Sequence, residues 1–297
     1  MTIHVEIFIR AGIDDVWRCT QTPDLHARWD LRFTDIEYLP RPDPLQPQRF
    51  LYATRIGFGL HIEGEGESVA TREDASGVRT SSLRFWSDDP KSLIRIGSGY
   101  WQYVPVDGGV RFLTRYTYET RFGPLGRAFN ALVFEPLLGW ATAWSFDRLR
   151  LWLEEGLDPA SSFTFAGIHA LARVTLAVAW LYHGIVPKFL FPDSGELDLL
   201  RRTGIFGRAS PVALRAMGVA EIAFAIALLA VWHSPRPLFA NTIALLALTV
   251  GAIRSSPGLL RQPFNPITLN LSMAALGVLG LLAERRMPTA SRCLRRP

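Results

Sequence analysis

The residues that spacing groups by chemistry lie mostly where the chain is least polar. At about 100° per residue on a helix, His169, Arg173, Trp180 and His183 fall within an arc of roughly 80°. One face of that segment is therefore polar and aromatic and should turn away from lipid. Glu221 stands near the middle of the next apolar stretch, where an unpaired carboxylate is costly. At 1.5 Å of rise per residue, Arg173 is roughly 12 to 13 Å and Glu221 roughly 16 Å from the same membrane face, which makes them natural partners. Such a pair either holds two helices together or belongs to a ligand or proton site. Lys188, Arg215 and Arg254 fall near helix ends, where long cations reach the interface as anchors. In the first half, Glu63, Glu65 and Glu67 share one strand face, with Ile62, Gly64 and Gly66 on the other. That carboxylate row is either a metal site or, as is usual on an outward face, simply solvated. The glycine face would let a helix or a ligand approach closely. Ser, His and Asp occur in this half without nucleophile spacing, and there is no glycine-rich phosphate loop.

Two unlike halves must position these residues. The 297 residues are 48% hydrophobic with a mean hydropathy of +0.14, too apolar for a soluble domain and too polar for a pure membrane protein. Before residue 160, charged and apolar residues mix; after it come four apolar stretches, Ser162 to Phe191, Pro211 to Trp232, Pro237 to Ile253 and Gln262 to Ala283. Each approaches the roughly 20 residues that span a bilayer core, the third only just. Burying four such helices in a soluble protein would need a shell of amphipathic helices that the sequence lacks. An even number of spans puts both termini on one side. The Arg285, Arg286, Arg292, Arg295 and Arg296 tail, with no export signal at the start, points to the cytoplasm. The expected location is a bacterial inner membrane. The net charge of +5 comes almost wholly from arginine, Lys91 and Lys188 being the only lysines, and no basic stripe interleaved with aromatics speaks for nucleic acid. Cys19 and Cys293, one in each half, exclude a disulfide framework and indicate no metal cluster.

The first half reads as strand, two short helices, a run of strands and a long helix. Strand segments are Ile3 to Arg10, then around Thr34 to Leu39, Arg49 to Phe58, Leu60 to Val69, Val78 to Trp86, Ile94 to Val104 and Val110 to Arg121. In the last, Phe112, Thr114, Tyr116 and Tyr118 share a face. The helix runs from about Leu125 to Glu155, with a kink or break expected at Pro136. Phe129, Val133, Trp140 and Trp144 form one broad apolar face along it, and Asp147, Arg148, Arg150, Glu154 and Glu155 supply solvated charge toward its end. Gly156-Leu157-Asp158-Pro159 links it to the membrane.

Two resemblances follow from these residues. Trp180-Leu181-Tyr182-His183-Gly184-Ile185-Val186-Pro187-Lys188, Phe191-Pro192, Thr203-Gly204, Gly218-Val219-Ala220-Glu221 and Asn265-Pro266 resemble the DoxX-like family, which implies a four-helix membrane domain over residues 163–286. Some relatives act with redox partners, although no heme- or flavin-binding signature is present and no cofactor is expected. The element order with Trp17, Pro23, Trp29-Asp30 and the late long helix resembles the START-like helix-grip (SRPBCC) superfamily of polyketide cyclases and lipid-transfer domains over residues 1–157. It implies an α+β fold, a curved antiparallel sheet around the C-terminal helix with an apolar cavity between them. On that resemblance Tyr52, Phe58, Phe112, Tyr116, Tyr118, Trp140 and Trp144 are candidate lining residues, unless they are plain core filling. Tyr52, His61, Tyr116 and Tyr118 are the acid–base candidates, with no two forming a recognisable dyad.

The expected function is a membrane-anchored binding protein for a lipid or other apolar small molecule. The alternative is an oxidoreductase component whose bundle binds a quinone along the His169, Arg173, His183 face.

Overall fold

Alternation builds the first half of the computed structural model, which describes every residue except Met1, Pro44, Phe58, Ser194, Phe264 and Pro297. In β1 (Thr2–Ile9), Ile3, Val5, Ile7 and Ile9 are buried and Phe8 is exposed. Two helices follow, α1 (Ile13–Gln21) and α2 (Pro23–Trp29). They carry the chain to the far edge of the sheet, from which β2 (Asp35–Tyr38), β3 (Gln48–Gly57), β4 (Leu60–Glu73), β5 (Arg79–Trp86), β6 (Ile94–Val106) and β7 (Gly109–Thr120) meander back. The seven-stranded antiparallel sheet has the order β1-β7-β6-β5-β4-β3-β2.

One cross-strand row runs Phe50, Gly66, Phe85, Gly97 and Tyr118 over five strands. A Cβ on Gly66 would lie 2.3 Å from the Phe50 ring, one on Gly97 2.2 Å from Phe85, and one on Gly64 2.3 Å from Tyr52. Each ring therefore lies over the glycine beside it, which shields the bare backbone. The space that the glycines of β4 open is filled by rings of the neighbouring strands, not by a helix.

The long helical segment is broken. α3 (Gly123–Phe129) runs into a π turn at Asn130–Phe134, and α4 (Glu135–Glu155) begins with Pro136 near its start. Pro136 has no N–H to give to the preceding turn, and its ring crowds the carbonyl four residues back, so the turn widens. α4 closes at Gly156, whose φ of 65° suits a residue without a side chain. Ala143, Phe146 and Leu149 are fully buried, and Phe146 stacks on Phe112 at 4.5 Å.

Of the charges late in α4, Asp147, Arg148 and Arg150 are buried, contrary to the sequence expectation, whereas Glu155 is exposed. Asp147 is fully buried, accepting from Arg150 Nε at 2.6 Å and from the Thr289 backbone N–H at 2.7 Å. Arg148 donates to the carbonyls of Trp29, Arg28 and Pro159 at 3.1, 3.0 and 2.9 Å. For Asp147 the cause is distant chain: residues Pro288–Pro297 belong to the first compact unit with Met1–Phe163. Within that tail, Leu294 bridges Glu6 of β1 and the buried Cys293 thiol reaches the Ala143 carbonyl at 3.2 Å.

The second unit, Thr164–Met287, holds the rest of α5 (Pro159–Ile185), which continues through a π turn at Val186–Leu190. Then come α6 (Glu196–Arg202), α7 (Ser210–Ala230), α8 (Arg236–Ser255) and α9 (Pro266–Glu284). Pro159–Leu190, Gly207–Ala230, Arg236–Ser255 and Pro266–Glu284 are long and apolar enough to cross a membrane. Leu176, Leu228, Leu238 and Leu245 form the bundle core, where Trp180 Nε1 donates to Asn241 Oδ1 at 2.8 Å.

Removing residues 288–297 leaves Asp147 without its backbone donor and uncovers part of α4. Losing a hydrogen bond to a buried charge costs about 1–3 kcal/mol. The unfolding midpoint of the tail-less chain in detergent should fall by about 4–10 °C, as read by near-UV circular dichroism.

Candidate functional site

The helix-bearing face of the sheet carries a buried polar cluster at the end of α2. The segment Leu25-His26-Ala27-Arg28-Trp29-Asp30-Leu31-Arg32 places His26 and Asp30 one helical turn apart. His26 Nε2 lies 3.0 Å from Asp30 Oδ2. Arg32 grips the same carboxylate with two nitrogens, Nε to Oδ1 at 2.9 Å and Nη2 to Oδ2 at 2.6 Å. A fork-to-fork pair of this kind combines strength with fixed direction. Burial by itself would raise the Asp30 pKa, but the Arg32 charge and the bonds from His26 and Arg32 hold it well below the usual carboxylate range. Burial outweighs the Asp30 contacts at His26 and lowers its pKa, so the ring stays neutral near pH 7.

Aromatic rings surround this cluster. The Arg32 guanidinium lies 5.7 Å from the centre of the Tyr116 ring and 5.5 Å from that of Phe33. Phe33 meets Tyr52 edge-on at 5.6 Å, and Phe85 meets Tyr116 at 6.3 Å. The Tyr116 hydroxyl is 3.1 Å from Thr142 Oγ1 of α4, and Tyr118 donates to Asn130 Oδ1 at 2.8 Å. Phe134 stands 6.2 Å from Tyr118. Phe33, Phe50, Tyr52 and Phe85 are only half-buried, as is Arg32, so this part of the face is incompletely covered. Burial pushes the Tyr52 hydroxyl up to about 12 and raises that of Tyr116, so both remain neutral donors.

The sequence candidates separate on this scaffold. Tyr52, Tyr116 and Tyr118 come together with Arg32, whereas Phe112 is fully buried against Phe146 and Tyr103. Trp144 packs on Trp140, Phe163 and Arg148, and Trp140 is exposed. Phe58 lies outside the described residues. His61 shares the opposite face with Glu63 and Glu65, because residues of one parity in a strand point one way. That face bears a groove of about 520 Å3 lined by Asp35, Glu37, Glu63, Glu65, Asp88 and Asp89, among others. Among the described residues no group of three or more His, Cys, Asp or Glu is placed to hold a metal ion. Sequence reasoning missed His26 and Arg32, although the i, i+4 spacing of His26 and Asp30 was a readable signal.

In the bundle the expected Arg173–Glu221 pair does not form. Arg173 is fully buried level with the C-terminal end of α7, where it donates to Leu228 O at 2.7 Å, Val231 O at 3.0 Å and Ser234 O. Its Nε reaches His169 at 2.8 Å, and Glu284 is 3.9 Å away. Both His169 ring nitrogens lie near backbone carbonyls, those of Gly280 at 3.1 Å and Trp232 at 3.3 Å. These polar atoms are thus engaged within the bundle. Glu221 pairs instead with Lys188, whose Nζ is 2.8 Å from Glu221 and 2.8 Å from Glu196, and His183 is half-buried close by. Lys188 is buried, not an anchor at the interface. The reason is geometric. α5 runs on through its π turn, and a Cβ on Gly184 would lie 2.9 Å from Gly218 O, so the backbones touch where Lys188 faces Glu221.

An antiparallel sheet packed with helices, followed by four helices long and apolar enough to cross a membrane, defines an integral membrane protein with an α+β domain at its N-terminus. The chain belongs to the family of YndG, an uncharacterized membrane protein of Bacillus subtilis (strain 168), with which it is 49% identical over 200 residues, 66% of this chain and 74% of YndG. Within it, residues 177–278 match the DoxX-like family. Among solved structures, the chain is similar to a STAR-related lipid transfer protein from Xanthomonas axonopodis, at 18% identity over 51% of this chain and 85% of that one, with a TM-score of 0.38. It is also similar to the Zhui aromatase/cyclase of Streptomyces sp. R1128, at 15% identity over 50% and 96%, with a TM-score of 0.37.

Acid should weaken the N-terminal domain in two stages. The folded His26 ring binds its proton less readily than the unfolded one, so stability falls as pH drops through about 6.5. Asp30 has a depressed folded pKa, so its contribution is present above about 3.9 and is lost as pH falls below that toward its folded value. Thermal midpoints between pH 7 and 5 should fall less steeply in His26→Phe than in the parent; parallel slopes would show that His26 is not responsible.

Lys188→Met and Glu221→Gln should each lower the midpoint in detergent, and the double change should recover part of the loss, because a lone buried charge is worse than none. Arg173→Met combined with Glu221→Gln should be additive, since those residues do not touch.

Proposed function

We propose that this protein binds a lipid or another apolar small molecule on the helix-bearing face of its N-terminal domain and holds that domain at the membrane with its four spans. The observation that carries the reading is the half-buried aromatic surface of Phe33, Tyr52 and Phe85 beside Arg32. Rings that a sheet leaves partly uncovered favour an apolar ligand, and a guanidinium among them favours one with a polar or anionic end. His26 and Arg32 both engage Asp30, which fixes the guanidinium at the edge of these rings.

The protein sits, in this reading, in a bacterial inner membrane with both termini cytoplasmic. The even number of spans supports placing both ends of the bundle on one side. The arginines of the tail after the last span support the cytoplasmic side.

Organic extracts of the chain purified from membranes, analysed by mass spectrometry, should contain a stoichiometric lipid or other apolar compound. Tyr52→Ala and Phe85→Ala should each weaken binding of a fluorescent fatty acid by about 5- to 10-fold, the share of about 1–1.4 kcal/mol that one aromatic contact supplies. Unchanged affinity in both variants would remove the ligand from this face.

A further inference from the structure

Seven large apolar side chains between Phe122 and Trp140 face solvent. Leu125 is 82% and Leu132 80% exposed, and Phe122, Phe129, Val133, Leu137 and Trp140 are exposed as well. These residues come from α3, the π turn and the first turns of α4, not from a frayed end. Single exposed leucines are ordinary, but seven large apolar groups within nineteen residues form a patch that asks for a partner. The formal charges inside the stretch are Arg127, which is exposed, and Glu135, which is half-buried. The patch therefore presents apolar groups and a cation to its surroundings, the combination that suits an interface of acyl chains and anionic headgroups.

Two further observations say what covers it. α4 is joined to α5, the first span, by the three residues Gly156, Leu157 and Asp158, so a bilayer is always within reach. A tethered partner acts at high effective concentration, and weak docking suffices. The patch is also continuous with the start of that span, because Trp140 stacks on Trp144 at 6.1 Å and Trp144 meets Phe163 of α5 edge-on at 6.0 Å. Aromatic residues in a row beside a span are the side chains that settle at the headgroup level.

We propose that residues 122–140 dock on the surface of the bilayer that the protein spans, with Leu125, Phe129, Leu132 and Leu137 entering the headgroup region and Arg127 meeting anionic lipid. The docking does not require that the sheet face bind a ligand. It does bring Phe134, which packs on Tyr118, close to lipid, so a molecule leaving the membrane would meet that face first.

The test uses the full chain in nanodiscs of phosphatidylcholine and phosphatidylglycerol. An environment-sensitive fluorophore is attached at Leu132→Cys, at Leu125→Cys, or at Ser98→Cys, which lies exposed on the other face of the sheet. Both native cysteines are buried. The probes at 125 and 132 should emit to the blue of the probe at 98, be quenched several-fold more by nitroxide-bearing lipid, and be protected several-fold from aqueous iodide. Replacing phosphatidylglycerol with phosphatidylcholine should reduce the lipid quenching, and Arg127→Gln should remove that dependence. Iodide quenching at 125 and 132 equal to that at 98 would overturn the proposal. So would a blue shift without quenching by lipid nitroxide, because the patch would then be covered by protein.

Discussion

The buried guanidinium of Arg148 holds the first unit together where α2, α4 and the start of α5 meet. Helix ends leave carbonyls without partners, and those of Arg28 and Trp29 end α2. Arg148 donates to both and to Pro159 at the start of α5, so one side chain ties three elements. The bundle solves the same problem in the same way. Arg173 reaches the carbonyls at the end of α7 and in the turn after it. A fixed planar fork with five donors suits this better than a lysine, because several acceptors converge on one plane. Buried charge in both units is thus spent on backbone carbonyls at least as much as on acids.

The glycine-for-ring exchange on the sheet has a consequence for what the face can do. Rings that lie flat over Gly64, Gly66 and Gly97 cannot rise from the sheet to meet α4. Near β1 and β7 the core closes because Phe112 stacks on Phe146, whereas Phe50, Tyr52 and Phe85 farther along stay half-buried. Arg32 sits at the boundary between the closed and open parts. Its charge tolerates that position because Asp30 answers it with two bonds and Tyr116 and Phe33 offer ring faces.

Much of this was legible in the sequence, and what was not has physical causes. The strands read well because alternation is local, as Ile3 to Ile9 and Phe112 to Tyr118 show. The spans read well because length and apolarity are local too. Asp147 and Arg148 were misjudged because they have partners far away in sequence, for Asp147 in the tail beyond the last span, and Arg150 is buried with Asp147, its partner three residues back. Phe129, Val133 and Trp140 do share a helical face, but only Trp144 of that set is buried; periodicity shows which residues point together and not what they point at. Arg173 and Glu221 were placed at similar depths by counting from span ends, but the helices pack with Arg173 level with Leu228 and Val231 and with Lys188 opposite Glu221, an alignment that counting along each helix does not give. The His26–Asp30–Arg32 cluster needed the rings of β3, β5 and β7 to give it a setting, and strand register is not written locally.

Two π turns connect these threads. At Asn130–Phe134 and Val186–Leu190 the backbone bonds run five residues back, from Glu135 N to Asn130 O and from Phe191 N to Val186 O. A proline lies in or just after each, Pro136 and Pro187, and a residue without an N–H makes the wider turn the cheaper one. Each wide turn also delivers a polar side chain to a buried position it would otherwise miss. Asn130 is fully buried and accepts the Tyr118 hydroxyl; Lys188 is buried and reaches Glu221. An unbroken α-helix through residues 123–155 would turn the apolar side chains of α3 by a different angle relative to α4. The widened turn sets the direction of the exposed patch and, through Asn130, fixes that direction to the wall of the sheet.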